Sequence, residues 1–176
     1  MHLNNLPAYT YVENFNANLI NNIAKKVSII YRNYKETNID HILRIRNLCK
    51  KTGRKFYLSN NVKLAIKLSL DGAYIPSFNK SLSVKYFKYC KKFEIIGSAH
   101  SFAEIKIKEK QNISKIFISP LFKTSKSKNF LGIYRFINLK NMTKKNVICL
   151  GGINKKNLKK IKLIKPNGFA AISLFQ

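Results

Sequence analysis

A short stretch combines histidine and serine in a way that could transfer protons and bind an anion. Gly97-Ser98-Ala99-His100-Ser101 directly follows an apolar run. A histidine ring exchanges protons near neutral pH, and a serine hydroxyl can donate a hydrogen bond to an anion. A structural interpretation competes with this one, because Ser101 and Glu104 have the spacing of a helix capping box. We predict that Ser98 and His100 are catalytic.

Two stretches near the end of the sequence could hold a phosphate group. Leu150-Gly151-Gly152-Ile153 contains paired glycines, which let backbone amides approach an anion closely, and a predicted helix begins soon after it. Ala171-Ile172-Ser173 offers a hydroxyl and further amides. Either stretch alone could be an ordinary tight turn. Taken together, they predict a phosphate site formed by Gly151, Gly152, Ile172 and Ser173.

Hydroxyl groups and lysines cluster in residues 119–128, with the sequence SPLFKTSKSK. Such a loop could close over a phosphorylated ligand. It could equally be a solvated loop. The candidate ligand-binding side chains in it are Thr124, Lys126 and Lys128.

The elements that must position these groups alternate between short apolar runs and amphipathic segments, which is typical of βαβ units around a parallel sheet. Eight strands are predicted, at residues 8–14, 27–33, 55–60, 72–77, 94–99, 115–122, 147–153 and 168–175. Seven helices are predicted between them, at residues 17–26, 39–51, 62–70, 81–92, 102–111, 133–142 and 155–165. We therefore expect residues 1–176 to form one α/β domain, a short (β/α)8 TIM-type barrel that lacks the final helix. An open doubly wound sheet is the alternative.

In such a barrel the loops after the strands meet at one end, where the chemistry takes place. The missing helix would leave apolar surface between the first and eighth strands, which a homodimer could cover.

The net charge is strongly positive, since 34 Lys and Arg residues face only 7 Asp and Glu residues, for a formal charge of +27. The lysines are spread over every segment and occupy the polar faces of the predicted helices. This favours a solvated surface over a specific nucleic-acid groove. With no apolar run of the roughly 20 residues needed to span a bilayer and no secretory signal pattern, we expect a cytoplasmic protein.

Several stretches, in their order and spacing, resemble those that follow strands five to eight in thiamine phosphate synthases and the related TenI-type thiazole tautomerases: IIGSAHSFAEI, SPLFKTSKSKNFLG, VICLGGINKKN and GFAAIS. Upstream, FYLSNNVKLAIKLSLDGAYIPSFN is similar to the family segment around strands three and four. The resemblance implies a barrel of thiamine biosynthesis. Such an enzyme joins hydroxymethylpyrimidine diphosphate to thiazole phosphate and releases pyrophosphate with the help of Mg²⁺.

The resemblance also implies roles for individual residues. Gly152, Ile172 and Ser173 would hold the thiazole phosphate, while Ser98, Thr124 and a lysine of residues 126–128 would contact the diphosphate. Arg32 matches the basic residue after the second strand and is predicted to be catalytic, with Lys35 as its substrate-binding companion. Asp71 matches a structural Asp-Gly turn.

The positions matching the two metal-binding aspartates of the family carry Asn60 and Asn79. Magnesium normally relies on one or two carboxylates together with substrate phosphates, and these two positions supply no carboxylate for Mg²⁺. Two alternatives to a synthase therefore stay open. One is a metal-free thiazole tautomerase in which His100 transfers the proton, and the other is a catalytically silent barrel that binds a phosphorylated ligand.

Overall fold

Eight parallel strands close into a barrel in sequence order in the computed structural model, which describes residues 5–87, 92–125 and 129–175. The strands are β1 (Ala8–Val12), β2 (Val27–Tyr31), β3 (Phe56–Ser59), β4 (Gly72–Ile75), β5 (Glu94–Ala99), β6 (Lys115–Ile118), β7 (Asn146–Leu150) and β8 (Gly168–Ala170). Pairing of Ala8 with Phe169 joins β1 to β8 and closes the sheet. The predicted barrel is confirmed, and the open sheet is wrong.

In the part of the chain that the structure describes, five α-helices cover the outside of the barrel: α1 (Ala17–Asn22), α2 (Ile39–Thr52), α3 (Val62–Lys67), α4 (Phe102–Lys110) and α5 (Gly132–Asn141). Asparagine side chains cap the first three, since Asn16, Asn38 and Asn61 each accept a hydrogen bond from a backbone N–H in the first turn. Within the described residues, the other two predicted helices contain only the 3₁₀ segments Leu82–Phe87 and Leu158–Ile164.

Local composition explains the weakness of these two segments. Leu82–Phe87 contains a β-branched and two aromatic residues, which have modest helix propensity. In the second predicted helix, residues 155–165, Lys156 and Lys160 are four residues apart, and the 3₁₀ segment has no acidic residue in its first turn; like charges at this spacing destabilise an α-helix.

Side chains that alternate along the strands fill the barrel interior. The inner cluster is Tyr9, Tyr11, Ile30, Tyr57, Tyr74, Ile96, Phe117, Ile148 and Ala170. The aromatic rings meet edge to face, as Tyr74 and Phe117 do at 5.6 Å between ring centroids. Because side chains alternate with a period of two, the next inward positions after this layer are Ser98 on β5 and Ser119 after β6, and both are buried.

A polar network closes the amino-terminal end of the barrel. Lys115 Nζ lies 2.7 Å from Glu94 Oε1, and the Tyr57 hydroxyl donates to Glu94 Oε2 at 2.7 Å. Burial alone would raise the pKa of Glu94, but the hydrogen bonds from Lys115 and Tyr57 outweigh it and lower that pKa. At the same end Asp71 Oδ2 accepts the backbone N–H of Phe56 at 2.8 Å, which confirms that Asp71 is structural.

The outer surface between β1 and β8 is covered by the chain itself. Residues 173–175 form a turn after β8 that stacks Phe175 on Phe169, with ring centroids 6.0 Å apart. On β1 the outward-facing Ala8, Thr10 and Val12 are buried. The predicted exposed apolar strip is therefore wrong, and the homodimer stays a prediction. No helix among the described residues has the length and hydrophobicity needed to cross a bilayer.

Candidate functional site

The two predicted phosphate loops lie side by side at the carboxyl ends of the strands. Leu150 pairs with Ala170, so Gly151 and Gly152 leave β7 next to the point where residues 171–173 leave β8. Ile172 and Ser173 are exposed there. The adjacency on which the phosphate prediction depends is thus present.

Both glycines are required by the packing of the β7 loop against the β6 loop. Gly151 and Gly152 have φ angles of +97° and +67°. A Cβ atom at Gly152 would lie 2.4 Å from the carbonyl oxygen of Lys123, and one at Gly151 would lie 2.7 Å from Pro120 Cα. The loops are tied together by the hydrogen bond from Phe122 N to Gly151 O, at 3.0 Å. The β6 loop also carries the half-buried Thr124, while Lys126 and Lys128 lie outside the described residues.

The His100 ring lies between the β5 and β6 loops. Its Nδ1 is 2.9 Å from the carbonyl oxygen of Ser119 and 3.1 Å from Ser119 Oγ. Because a carbonyl oxygen can only accept, a hydrogen bond from Nδ1 to Ser119 O requires the Nδ1–H tautomer, in which Nε2 is the proton acceptor. The backbone N–H of His100 donates to Glu104 Oε2 at 2.6 Å, and Ser101 caps α4. Ser101 and Glu104 therefore cap the start of α4, as the structural interpretation predicted. The His100 ring still has Nε2 available for proton transfer.

Ser98 is buried on the floor of the mouth beside a tyrosine. Burial raises the pKa of Tyr74, and side-chain hydrogen bonds with Ser98 and Tyr11 oppose that rise. The Arg32 guanidinium lies 4.6 Å above the ring of Tyr11 and 3.7 Å from Glu13. Arg32 is therefore held between the Tyr11 ring and the Glu13 carboxylate.

Lys35 lies on the exposed loop after β2, and Asn33 Oδ1 accepts its backbone N–H at 3.0 Å. This turn holds the backbone of the loop and leaves the Lys35 side chain at the surface.

Asn60 and Asn79 are in direct contact. Asn79 Nδ2 donates to Asn60 Oδ1 at 2.7 Å, across the ends of β3 and β4. Asn60 has a φ of +59°, a region that asparagine tolerates better than most residues, and its N–H donates to Tyr74 O. The two positions aligned with metal ligands do meet at the mouth of the barrel.

Comparison with known proteins agrees with this arrangement. The sequence profile of the family described as thiamine monophosphate synthase matches residues 12–175. The chain belongs to the thiamine monophosphate synthase family.

Among relatives in this family, the thiamine-phosphate synthase of Prochlorococcus marinus (strain AS9601) is 32% identical over 160 residues, which are 84% of this chain and 43% of that protein. The thiamine-phosphate synthase of Helicobacter pylori (strain HPAG1) is 27% identical over 136 residues, 74% of this chain and 61% of that protein. The chain thus spans about half the length of these relatives. A solved structure of thiamine phosphate pyrophosphorylase from Pyrococcus furiosus shares the fold, with a TM-score of 0.75, 18% identity and coverage of 95% of this chain and 85% of that one.

The Mg²⁺ site that the family implies does not fit the residues present here. Asn60 and Asn79 supply neutral amides instead of carboxylates, and the Asn60 oxygen already accepts the amide of Asn79. Glu13, the acid at the end of β1, is paired with Arg32. Within residues 5–87, 92–125 and 129–175 there is no group of three or more His, Cys, Asp or Glu side chains that could hold a metal ion. Magnesium lacks the carboxylate oxygens that it usually requires.

Sequence reasoning missed a buried lysine behind this part of the site. Lys108 on α4 has no exposed surface, so placing all helical lysines on polar faces was wrong. Its Nζ donates to Pro76 O, Asn79 O and Gln111 Oε1 at 2.8 to 2.9 Å. Burial lowers the pKa of Lys108 to about 8, against the attraction of Glu104. A signal was available in the sequence, because Lys108 follows the buried Ile105 by three residues and so shares its face of the helix.

Proposed function

We propose that this chain is a thiamine phosphate synthase-like transferase that joins hydroxymethylpyrimidine diphosphate to thiazole phosphate and releases pyrophosphate. The observation that carries the proposal is the meeting of the β7 and β8 loops, through Leu150 and Ala170, at the barrel end that also carries His100 and Arg32. The family supports the reaction class. The amino-terminal end is closed by the network around Glu94, which favours the opposite mouth as the substrate entrance.

The residues divide between two phosphate groups in this proposal. The backbone at Gly152 and the Ile172–Ser173 turn bind the thiazole phosphate. Arg32, with Lys35, Thr124 and the lysines at 126 and 128, binds the diphosphate. When the bond to the diphosphate breaks, negative charge builds on the leaving oxygen, and donors fixed in advance around it lower the barrier.

The diphosphate must be neutralised chiefly by groups of the chain. The pair Asn60 and Asn79 supplies amides where a carboxylate site would be needed for Mg²⁺, so we route no step through a metal. Arg32 is suited to this role because its guanidinium stays charged and is oriented by the Tyr11 ring.

The test is pyrophosphate release by the purified chain given both phosphorylated precursors, measured with Mg²⁺ and again in EDTA. We expect release in both conditions, and a fall of about 100-fold for Arg32→Met, as for the loss of a group that stabilises transition-state charge. Lys63→Met, an exposed lysine on α3, is the matched control. Absence of pyrophosphate at high enzyme concentration in both conditions would remove the synthase assignment.

A second candidate function, metal-free thiazole tautomerisation, is favoured by the position of His100, whose Nδ1 can donate to Ser119 O. Nε2 would then accept and return the proton. His100→Asn keeps an N–H donor for Ser119 O and removes Nε2, so exchange of label at the thiazole should stop in this variant. Exchange at the wild-type rate would exclude His100. Stabilisation by thiazole phosphate without exchange or pyrophosphate release would instead identify a silent binding barrel.

A further inference from the structure

Asn79 is held in place from three sides. Its carbonyl oxygen accepts hydrogen bonds from Lys108 Nζ and Gln111 Nε2, both at 2.9 Å. Its Oδ1 accepts the backbone N–H of Ser81 at 3.0 Å, and its Nδ2 donates to Asn60 Oδ1 at 2.7 Å. The orientation of the Asn79 amide is therefore fixed before any ligand arrives.

The support behind Asn79 is a buried ammonium group with only neutral acceptors in contact. All three donors of Lys108 are used, by Pro76 O, Asn79 O and Gln111 Oε1. Its stem runs along β5 at Gly97, where an added Cβ would lie 3.4 Å from Lys108 Cδ. Three oxygen dipoles satisfy the hydrogen bonds of the ammonium but do not cancel its charge.

The contact with Asn79 decides what Asn60 can offer a ligand. Since Asn60 Oδ1 accepts from Asn79, the exposed Asn60 side chain meets a ligand through the N–H donors of its Nδ2. Such donors bind anions and repel cations. With a positive charge buried behind the loop, this part of the mouth favours phosphate oxygens over a metal ion.

We propose that the Asn60–Asn79 pair binds the diphosphate of the substrate directly, without a divalent metal, and that Lys108 and Gln111 are positioning residues that hold the pair in its donating orientation. The ligand class is a diphosphate, and its identity as the substrate's leaving group rests on the proposed function above. The hydrogen bond between the two amides joins the loops after β3 and β4, which a shared cation would otherwise do.

The first test is calorimetric binding of inorganic pyrophosphate in EDTA. The wild-type chain should bind, and Asn60→Asp should weaken binding by about tenfold or more, because it removes two donors and adds a negative charge. Added Mg²⁺ should restore binding to this variant and change the wild-type affinity by less than about twofold. Asn22→Asp, the same change at the exposed last residue of α1, near the amino-terminal end of the barrel, should behave as wild type.

The second test separates positioning from overall charge. Lys108→Met and Lys110→Met each remove one positive charge from α4, but only Lys108 is buried. Pyrophosphate in EDTA should shift the side-chain amide resonances of Asn60 in the wild type and in Lys110→Met. In Lys108→Met the shift should be lost and the affinity should fall by about tenfold. If Lys108→Met does not fold, the Asn60→Asp result decides.

Several outcomes would overturn the inference. They are pyrophosphate binding by the wild type only when Mg²⁺ is present, unchanged binding in Asn60→Asp, and a folded Lys108→Met that binds as the wild type does. None of these three outcomes contradicts the synthase proposal if pyrophosphate is still released from the two precursors. Conversely, metal-free pyrophosphate binding at Asn60 in a chain that makes no product would support the diphosphate site and refute the synthase.

Discussion

Replacing Gly152 with alanine tests whether the β6 and β7 loops pack as tightly as the structure shows. Two costs add at this position. The φ of +67° disfavours any residue with a Cβ by about 1–2 kcal/mol. The new Cβ would also lie 2.4 Å from the carbonyl oxygen of Lys123 and 2.6 Å from that of Phe122. Backbone must move to relieve these contacts, at about 1–3 kcal/mol for an overpacked site. Gly152→Ala should therefore lower the free energy of unfolding by roughly 2–5 kcal/mol.

Gly53→Ala is the matched control, because Gly53 has nearly the same positive φ as Gly152 without the contacts. Gly53 ends α2 with a φ of +68°, and a Cβ atom added there would have no neighbour within 4 Å. Only the backbone cost of about 1–2 kcal/mol applies there. Urea unfolding of both variants gives the difference, and calorimetry with thiazole phosphate shows whether the distorted loop still binds. Equal losses of stability in the two variants, or full ligand affinity in Gly152→Ala, would refute the tight packing of this loop and its role as a phosphate cradle.

Three further predictions concern the scaffold. Glu94→Gln should lower the free energy of unfolding at pH 7. The difference from wild type should vanish as the pH falls below about 4.5, because a carboxylate with a lowered pKa stabilises the fold only while it is ionised. Urea unfolding between pH 3 and pH 7 measures this difference. Burial raises the pKa of Cys49 to about 12 and also raises that of Cys149, so peptide mapping after iodoacetamide at pH 8 should find both unlabelled until the chain is unfolded. Arg54→Met should cost about 1–3 kcal/mol by leaving two carbonyls at the end of α1 without their donor, while Arg44→Met on the exposed face of α2 should cost less than about 1 kcal/mol in the same denaturation assay.

The strands and their order could be predicted because each buried parallel strand is a short apolar run between polar or glycine-containing segments. The same reasoning placed Gly152 and Ser173 at one mouth, since closure of the barrel fixes which loops are neighbours. The turn that covers the outer face of β8 could not be predicted. It stacks Phe175 on Phe169, and such a turn has no periodic signal in the sequence. The 3₁₀ segments were also missed. Apolar spacing shows which face is buried but does not measure how well the backbone holds a full α-helical turn.

The composition of the chain and the chemistry of its mouth are connected. With seven acidic residues against 34 basic ones, most cations cannot have a carboxylate partner, and the buried Lys108 is satisfied by backbone and amide oxygens instead. Asn60 and Asn79 likewise carry amides instead of carboxylates, and they contact each other through an amide–amide hydrogen bond. Carboxylates at these two positions would make the local field negative in the absence of a bound metal ion, whereas amide donors over a buried ammonium keep it positive. An anionic ligand with two or more phosphate charges is the partner that this field favours.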